Sequence, residues 1–439
     1  MNAFLGLSRF SRSLLFNQRP CVARLATAVR CGSMAVLVLV PGYGEEITVR
    51  LDELAPWVRH VIDNSSTGAD GVKFGDLNGD GLPDITTGWE EGGAVRMYLN
   101  PGPTKAKAPW PQATVGTVAS PEDAVIVDLD GDGRMEVVSA TEGKNRTVYV
   151  HWADTADPLD PWKTEAIPCT RKLQSWMFVL PMDVDGKDGL DLVVGSKEQG
   201  AAVGWLQSPP NPRDLSAWTY HEFRPATWVM ALQSADLNGD GFPDILFSDR
   251  RGPGGGIGWL ENPGRTHPAA SKWKEHHIAD ADDEHQALFI DYADVDGDGK
   301  PEIVAACRPS RIGIFKRTGA ESWSTTWLNL TGDIGGTKAV KVADLNQDGR
   351  ADLVVSFENA KGPLTGIVWL EQKASGWAMH DLGGPEGIKY DLVPTIDLDG
   401  DGDLDVVTTE ERDQLGVIWY ENPTVHGTAP VSPLKPTPR

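Results

Sequence analysis

The sequence predicts an all-β chain built from seven similar four-stranded antiparallel units. Three observations carry this reading. An acidic nine-residue motif recurs at nearly constant spacing, short β-rich runs follow one order around each copy, and tryptophans stand at two fixed places in that order. The motif, D-x-[DN]-x-D-G-x-x-[DE], is found at Asp76–Asp84, Asp128–Glu136, Asp236–Asp244, Asp294–Glu302, Asp344–Asp352 and Asp397–Asp405. A seventh copy, Asp183–Asp191 (DVDGKDGLD), is bent out of pattern, and successive copies start 50 to 58 residues apart. A fixed period of this size marks a repeat architecture.

The fourth repeat shows the unit. Val229–Ala235 leads into the motif, Pro243–Ser248 leaves it, Ile257–Leu260 follows a Gly-rich turn, and Trp273–Ile278 comes last. Four short β-rich runs separated by Gly, Pro and Asn turns describe a four-stranded antiparallel sheet. Third runs recur at Ala94–Leu99, Val148–Trp152, Val203–Leu206, Ile312–Phe315, Ile367–Leu370 and Val417–Tyr420. Fourth runs open on Trp57, Trp110, Trp162, Trp218, Trp273, Trp323 and Trp377. The ends of third runs and the starts of fourth runs absorb most of the 16 tryptophans, as packing between neighbouring sheets would require.

Trp57–Ile62 reads as a fourth strand with no unit before it, and Asp391–Tyr420 as a last unit with no fourth strand after it. A ring solves both problems. The prediction is a seven-bladed β-propeller over residues 46–423, closed by the N-terminal strand joining the last blade, so that no sheet edge is left open at the seam.

Residues 1–45 read as a targeting segment, either a signal peptide or a transit-like one. Residues 1–44 hold no Asp or Glu, carry five arginines between Arg9 and Arg30, and end on a short apolar run from Met34 to Val40. That run is too short to span a bilayer, which takes about 20 apolar residues, so no transmembrane anchor is expected. The reading places the protein outside the cytoplasm: secreted, periplasmic or at the cell surface. Residues 424–439 are Pro-rich without an apolar pattern and are expected to be disordered. Beyond the targeting segment only Cys169 and Cys307 remain, in different repeats, and they read as free thiols.

The formal net charge of −23 is concentrated in the motifs, whose positions one, three, five and nine supply 24 carboxylates. Alternating carboxylates in a short loop supply the six to eight oxygens that calcium takes. The candidate ligands are Asp76, Asn78, Asp80 and Asp84; Asp128, Asp130, Asp132 and Glu136; Asp236, Asn238, Asp240 and Asp244; Asp294, Asp296, Asp298 and Glu302; Asp344, Asn346, Asp348 and Asp352; and Asp397, Asp399, Asp401 and Asp405. About six structural calcium ions follow. In the bent copy Lys187 takes the fifth position, where an ammonium could replace the cation, so that loop is expected to bind weakly or not at all. The alternative is a set of acidic turns with no metal, which leaves six near-regular copies unexplained. No basic stripe exists to hold phosphates, so nucleic acid is not an expected partner.

In such a ring the metal loops share one face. The other face collects the approaches to the first strands, among them Asp70, Glu122, Trp228, His285, Lys338, Tyr390 and Asp391, and the ends of the second strands, among them Glu90, Lys197, Arg250, Arg251, Arg308 and Glu358. Aromatic faces beside carboxylates and amides suit sugar rings, so a carbohydrate is the expected ligand and a protein partner the other possibility. An enzyme on this face would use His285 or Tyr390 as proton acceptor, with Arg250, Arg251 or Lys338 stabilising a developing enolate. It would be a carbon–oxygen lyase acting on a sugar or polysaccharide. The competing view is that propeller mouths are polar simply because water fills them.

The repeats resemble the FG-GAP/VCBS family of calcium-binding β-propellers over nearly the whole chain beyond residue 45. The resemblance implies the propeller fold and the calcium, in a group that includes adhesive propellers and polysaccharide lyases. A narrower likeness is to the propeller of aldos-2-ulose dehydratases, carried by Trp259–Gly264 (WLENPG), the strand opened by Trp273, and His285-Gln286 leading into a metal loop. The chain lacks the cupin portion of those enzymes.

Overall fold

The computed structural model describes residues 44–52, 56–264 and 273–424. The expected targeting segment up to residue 43 and the Pro-rich tail from residue 425 lie outside the described residues. Within them the chain forms strands and turns, with three short 3-10 turns and no α-helix. No helix among the described residues is long and apolar enough to cross a membrane. Cys169 and Cys307 are both free thiols.

Every acidic motif sits in the turn between a first and a second strand. The first strands are Ala69–Gly75, Pro121–Val127, Ser175–Met182, Val229–Ala235, Ala287–Ala293, Gly336–Ala343 and the short Thr395–Ile396. The second are Asp84–Trp89, Glu136–Thr141, Asp191–Lys197, Asp244–Asp249, Glu302–Cys307, Asp352–Glu358 and Asp405–Glu410. The third are Ala94–Tyr98, Val148–Ala153, Ala202–Gln207, Gly256–Glu261, Arg311–Gly319, Ile367–Gln372 and Gly416–Glu421. The fourth are Gln112–Gly116, Trp162–Ala166, Thr219–Pro225, Lys274–Asp280, Ser322–Thr331 and Trp377–Asp381.

Five sheets have four strands, and in four of them the hydrogen-bonded order follows chain order. In the fifth, Val58–Asp63 takes the fourth place, antiparallel to Gly416–Glu421 with His60 opposite Trp419. A sixth sheet has nine strands, because Glu45–Asp52 lies between Ser322–Thr331 and Trp377–Asp381 and runs parallel to both. This strand was not anticipated. Its alternation is legible, since Ile47, Val49 and Leu51 share one face and Val49 is fully buried, but it begins inside the segment read as targeting.

The second strands carry the core. Asp84–Trp89, Glu136–Thr141, Asp244–Asp249, Glu302–Cys307 and Asp405–Glu410 are buried at every residue. Neighbouring sheets cover both of their faces, so their sequences run continuously in Val, Ile, Thr and Ala instead of alternating. The first strands pack side by side: Ala69–Gly75 on Pro121–Val127, that strand on Ser175–Met182, and so on through Val229–Ala235 and Ala287–Ala293 to Gly336–Ala343. Ala69–Gly75 also touches Asp405–Glu410.

Six of the seven first strands carry a register shift near their start, for example between Trp176 and Phe178, Val229 and Ala231, and Ala287 and Ile290. A bulge of this kind inserts one residue and re-aims the side chains beyond it. These shifts shape the cavity described next.

Candidate metal loops and the cavity between the first strands

Each regular loop is wrapped around its first aspartate. In Asp76–Asp84, Asp76 accepts from the backbone N–H of Gly79 at 2.7 Å and of Gly81 at 3.0 Å. Both glycines have positive φ, 76° and 84°. Position four of the motif therefore needs a left-handed residue as much as position six does, and in Asp344–Asp352 Gln347 takes that strain at φ 56°. The ninth residue ties the loop to the sheet. Asp84 accepts from the N–H of Leu77 and of Asn100, each at 2.8 Å, and Asp244 from Leu237 at 2.9 Å and Asn262 at 2.8 Å.

Burial pushes these ninth carboxyls up, to about 7 for Asp84, Glu136, Asp191 and Asp405 and to about 6 for Asp244 and Asp352, against the pull of their backbone donors. In four loops one oxygen from each of three carboxylates lies within 4.8 Å of the others: Asp128, Asp130 and Glu136; Asp183, Asp185 and Asp191; Asp294, Asp296 and Glu302; Asp397, Asp399 and Asp405. Glu136 Oε1, Asp128 Oδ1 and Asp399 Oδ1 are buried without a hydrogen-bond donor, and Glu302 Oε1 has only the Lys316 ammonium, 3.5 Å away. Crowded hard oxygens lacking donors fit a hard divalent cation. Several of the acidic clusters could thus hold metal ions.

The cationic side chains fall differently from the expectation. Lys187 does not occupy its loop: its side chain is 63% exposed and its Nζ lies 3.7 Å from Asp185, while Asp183, Asp185 and Asp191 still converge. An ammonium that does enter a loop is that of Lys316, from a third strand, which contacts Asp296, Asp298 at 2.8 Å and Glu302 at 3.5 Å. Arg213 does the same at Asp130, with Asp132 3.6 Å away. Both come from outside the nine-residue motif, so the motif alone carries no trace of them.

On the opposite side lies a cavity of about 750 Å³, lined by residues of all seven repeats. Of the site residues expected there, Asp70, Glu90, Glu122, Lys197, Trp228, Arg250, Lys338, Glu358 and Asp391 line it. Glu358 is held by Arg308, with Lys338 Nζ at 3.8 Å and Arg250 Nη2 at 3.9 Å. Lys338 also pairs with Asp391 at 3.2 Å, and Lys197 with Glu122 at 3.3 Å. Lys197, Arg250 and Arg251 surround the Trp228 ring at 5.0, 4.5 and 5.2 Å from its centroid. Burial and the facing Asp391 carboxylate push Asp70 well up. Burial opposes ionisation of Asp391 too, but Lys338 overrides it and holds that group at about 2. Two buried carboxylates that face each other resist joint ionisation, so they titrate as a coupled pair.

The four candidate catalytic residues are not gathered in one place. Arg250 lines the cavity and donates from Nε to Gln286 at 2.6 Å, while Arg251 lies against Trp228. His285 is on an exposed turn, its Nδ1 3.3 Å from Asp282, outside the lining. Tyr390 is wholly buried: its hydroxyl donates to the Glu386 carbonyl at 2.7 Å and meets the Tyr420 hydroxyl at 3.1 Å. Burial and Tyr420 push its ionisation far up, so it does not present a proton acceptor to the cavity. The apolar lining, Met177, Phe178, Met230, Phe289 and Leu392, was missed. The bulges turn most of these side chains inward, and strict alternation does not reveal a bulge.

Residues 76–139, 183–247 and 294–355 match the model of the family described as FG-GAP-like repeat. No curated protein matches the chain. Among solved structures, crystal structures of BBS1N in complex with ARL6DN are similar, one soaked with lead and one with mercury. They share 14% identity with the chain, with TM-scores of 0.52 and 0.50, and the match covers 85% and 84% of this chain and 100% and 99% of theirs. At that identity the likeness is one of fold. Over its described residues the chain is thus an all-β protein that carries FG-GAP-like repeats on multiple four-stranded antiparallel sheets, a fold consistent with a β-propeller.

Proposed function

We propose that this is an exported, calcium-binding propeller of seven blades, closed by Val58–Asp63, that binds a saccharide in the cavity opposite the metal loops. Pairing of that strand with Gly416–Glu421 and the side-by-side first strands support the closed ring. The observation that carries the ligand is the cavity, which draws on all seven repeats and surrounds a half-buried tryptophan with cations. Its lining counts as many acidic as basic side chains, but burial raises Asp70 and Glu122 and so favours their neutral forms. The balance then tips positive. A saccharide bearing carboxylates fits such a wall better than a neutral one, through charge-assisted hydrogen bonds to Arg250 and Lys338.

The test is binding to an array holding neutral and anionic glycans, with Trp228→Ala and Lys338→Met beside the parent protein. Retention of anionic glycans by the parent and loss in both variants is the expected result. An array without hits removes the saccharide. An ultraviolet screen for unsaturated products on any retained glycan separates binding from lyase or dehydratase chemistry. Turnover would shift attention to the Asp70–Asp391 pair as the proton-transfer groups, and His285→Ala would show whether the exposed histidine takes part. A second reading, a protein-binding scaffold, is favoured by the likeness to BBS1N in complex with ARL6DN. It predicts partner capture that sugars do not compete away.

A further inference from the structure

We propose that Asp403 is a fifth carboxylate ligand of the Asp397–Asp405 loop, and that it makes this loop the tightest divalent-cation site in the chain. The inference rests on the reading of the loops as calcium sites. The seventh motif position is Leu82, Arg134, Phe242, Lys300 or Arg350 in the other regular loops, and none of these is buried. Asp403 is 1% exposed, and neither of its carboxylate oxygens has a hydrogen-bond donor. It lies between Asp401 and Asp405 in the loop, and its backbone N–H donates to the Asp401 carboxylate at 3.1 Å. Asp397, Asp399 and Asp405 converge independently of it, each offering an oxygen within 4.8 Å of the others.

Neighbouring elements explain the enclosure. Gln347, from the preceding repeat's loop, donates from Nε2 to the Gly402 carbonyl at 2.7 Å. The Asn422 side chain donates to the Leu404 carbonyl at 3.1 Å and the Leu345 carbonyl at 2.9 Å. The contacts to Gly402 and Leu404 clamp the backbone on both sides of Asp403. A carboxylate so enclosed needs either a proton or a cation. The other four-carboxylate loops already receive Arg213 or Lys316, which compete with a bound ion. Here the basic group in contact is Lys107, 3.0 Å from Asp399, and it leaves Asp401, Asp403 and Asp405 unpaired by it. Calcium affinity rises with the number of charged ligands in a rigid loop.

The experiment measures bound calcium after dialysis against graded chelator, and melting temperature with and without calcium, for the full chain, Asp403→Asn and Asp403→Leu. Leucine is the residue of the first loop at this position, so the second variant is expected to fold. The parent should keep one ion at chelator concentrations that strip the rest, and both variants should lose it, with affinity at that site down about tenfold or more. Without calcium both variants should melt above the parent, because an enclosed, repelled carboxylate is gone; with calcium their advantage should vanish. A purely structural Asp403 would lower melting in both conditions. Variants that retain the last ion as the parent does overturn the inference while leaving the calcium reading intact. A parent that binds no calcium overturns both.

Discussion

The His276 imidazole lies flat on the Trp259 indole, ring centroids 3.9 Å apart and planes 8° from parallel. Its Nε2 meets Glu261 at 2.6 Å and its Nδ1 meets Glu321 at 2.9 Å. The two rings face each other across the third and fourth strands, and the arrangement recurs with His60 on Trp419, His221 on Trp205 and His380 beside Trp369. In each case the residue two places after the tryptophan, Glu421, Gln207 or Glu371, holds the imidazole. The unit is cross-strand and four times repeated. His276→Ala should cost about 2 kcal/mol, from a stack and a charge-assisted hydrogen bond. A double-mutant cycle with Trp259→Leu in urea should return a coupling of about 1 kcal/mol, and zero coupling would make the stacking incidental.

His151 should make the protein acid-sensitive. It is fully buried, with Nε2 2.9 Å from Ser139 Oγ and Nδ1 2.9 Å from Thr164 Oγ1, and burial pushes its pKa down to about 3. The unfolded chain therefore takes up a proton below about pH 6.5 that the folded chain refuses until about pH 3. Stability is full above pH 6.5 and declines as pH falls, by about 2 kcal/mol between pH 6 and pH 4.5 from this group. His151→Gln should flatten that part of the urea-midpoint profile.

Removal of divalent ions should weaken the fold. Each loop with crowded, donor-poor oxygens gains from an ion, and one site at a hundredfold excess over its Kd contributes about 2.7 kcal/mol. The melting temperature should fall in chelator and return with added calcium. An unchanged melting temperature would mean that the loops are not metal sites.

Glu45–Asp52 should act as a strap between two sheets. A variant beginning at residue 56 leaves the edges of Ser322–Thr331 and Trp377–Asp381 unpaired and uncovers Val49's partners. Exposed strand edges recruit other chains. Such a variant should be less stable and associate with itself in sedimentation, whereas a variant beginning at residue 44 should behave as the full chain does.

What the sequence determined by itself was local and periodic. The nine-residue motif encodes its own loop, because alternating carboxylates and glycines answer only to neighbours a few residues away, and its spacing carried the four-strand unit with it. The tryptophan positions were legible for the same reason. The tertiary structure decided whatever depended on groups far apart in sequence. It put Lys316 rather than Lys187 among the carboxylates of a loop, and set His60, His276 and His380 on their tryptophans. It also drew Asp70 to Asp391 across the chain's length and buried Tyr390 away from the cavity. Bulges in the first strands were invisible to alternation, yet they turned Phe178, Met230 and Phe289 inward. Side-chain burial and charge pairing are sums over neighbours, and those neighbours exist only once the sheets have packed.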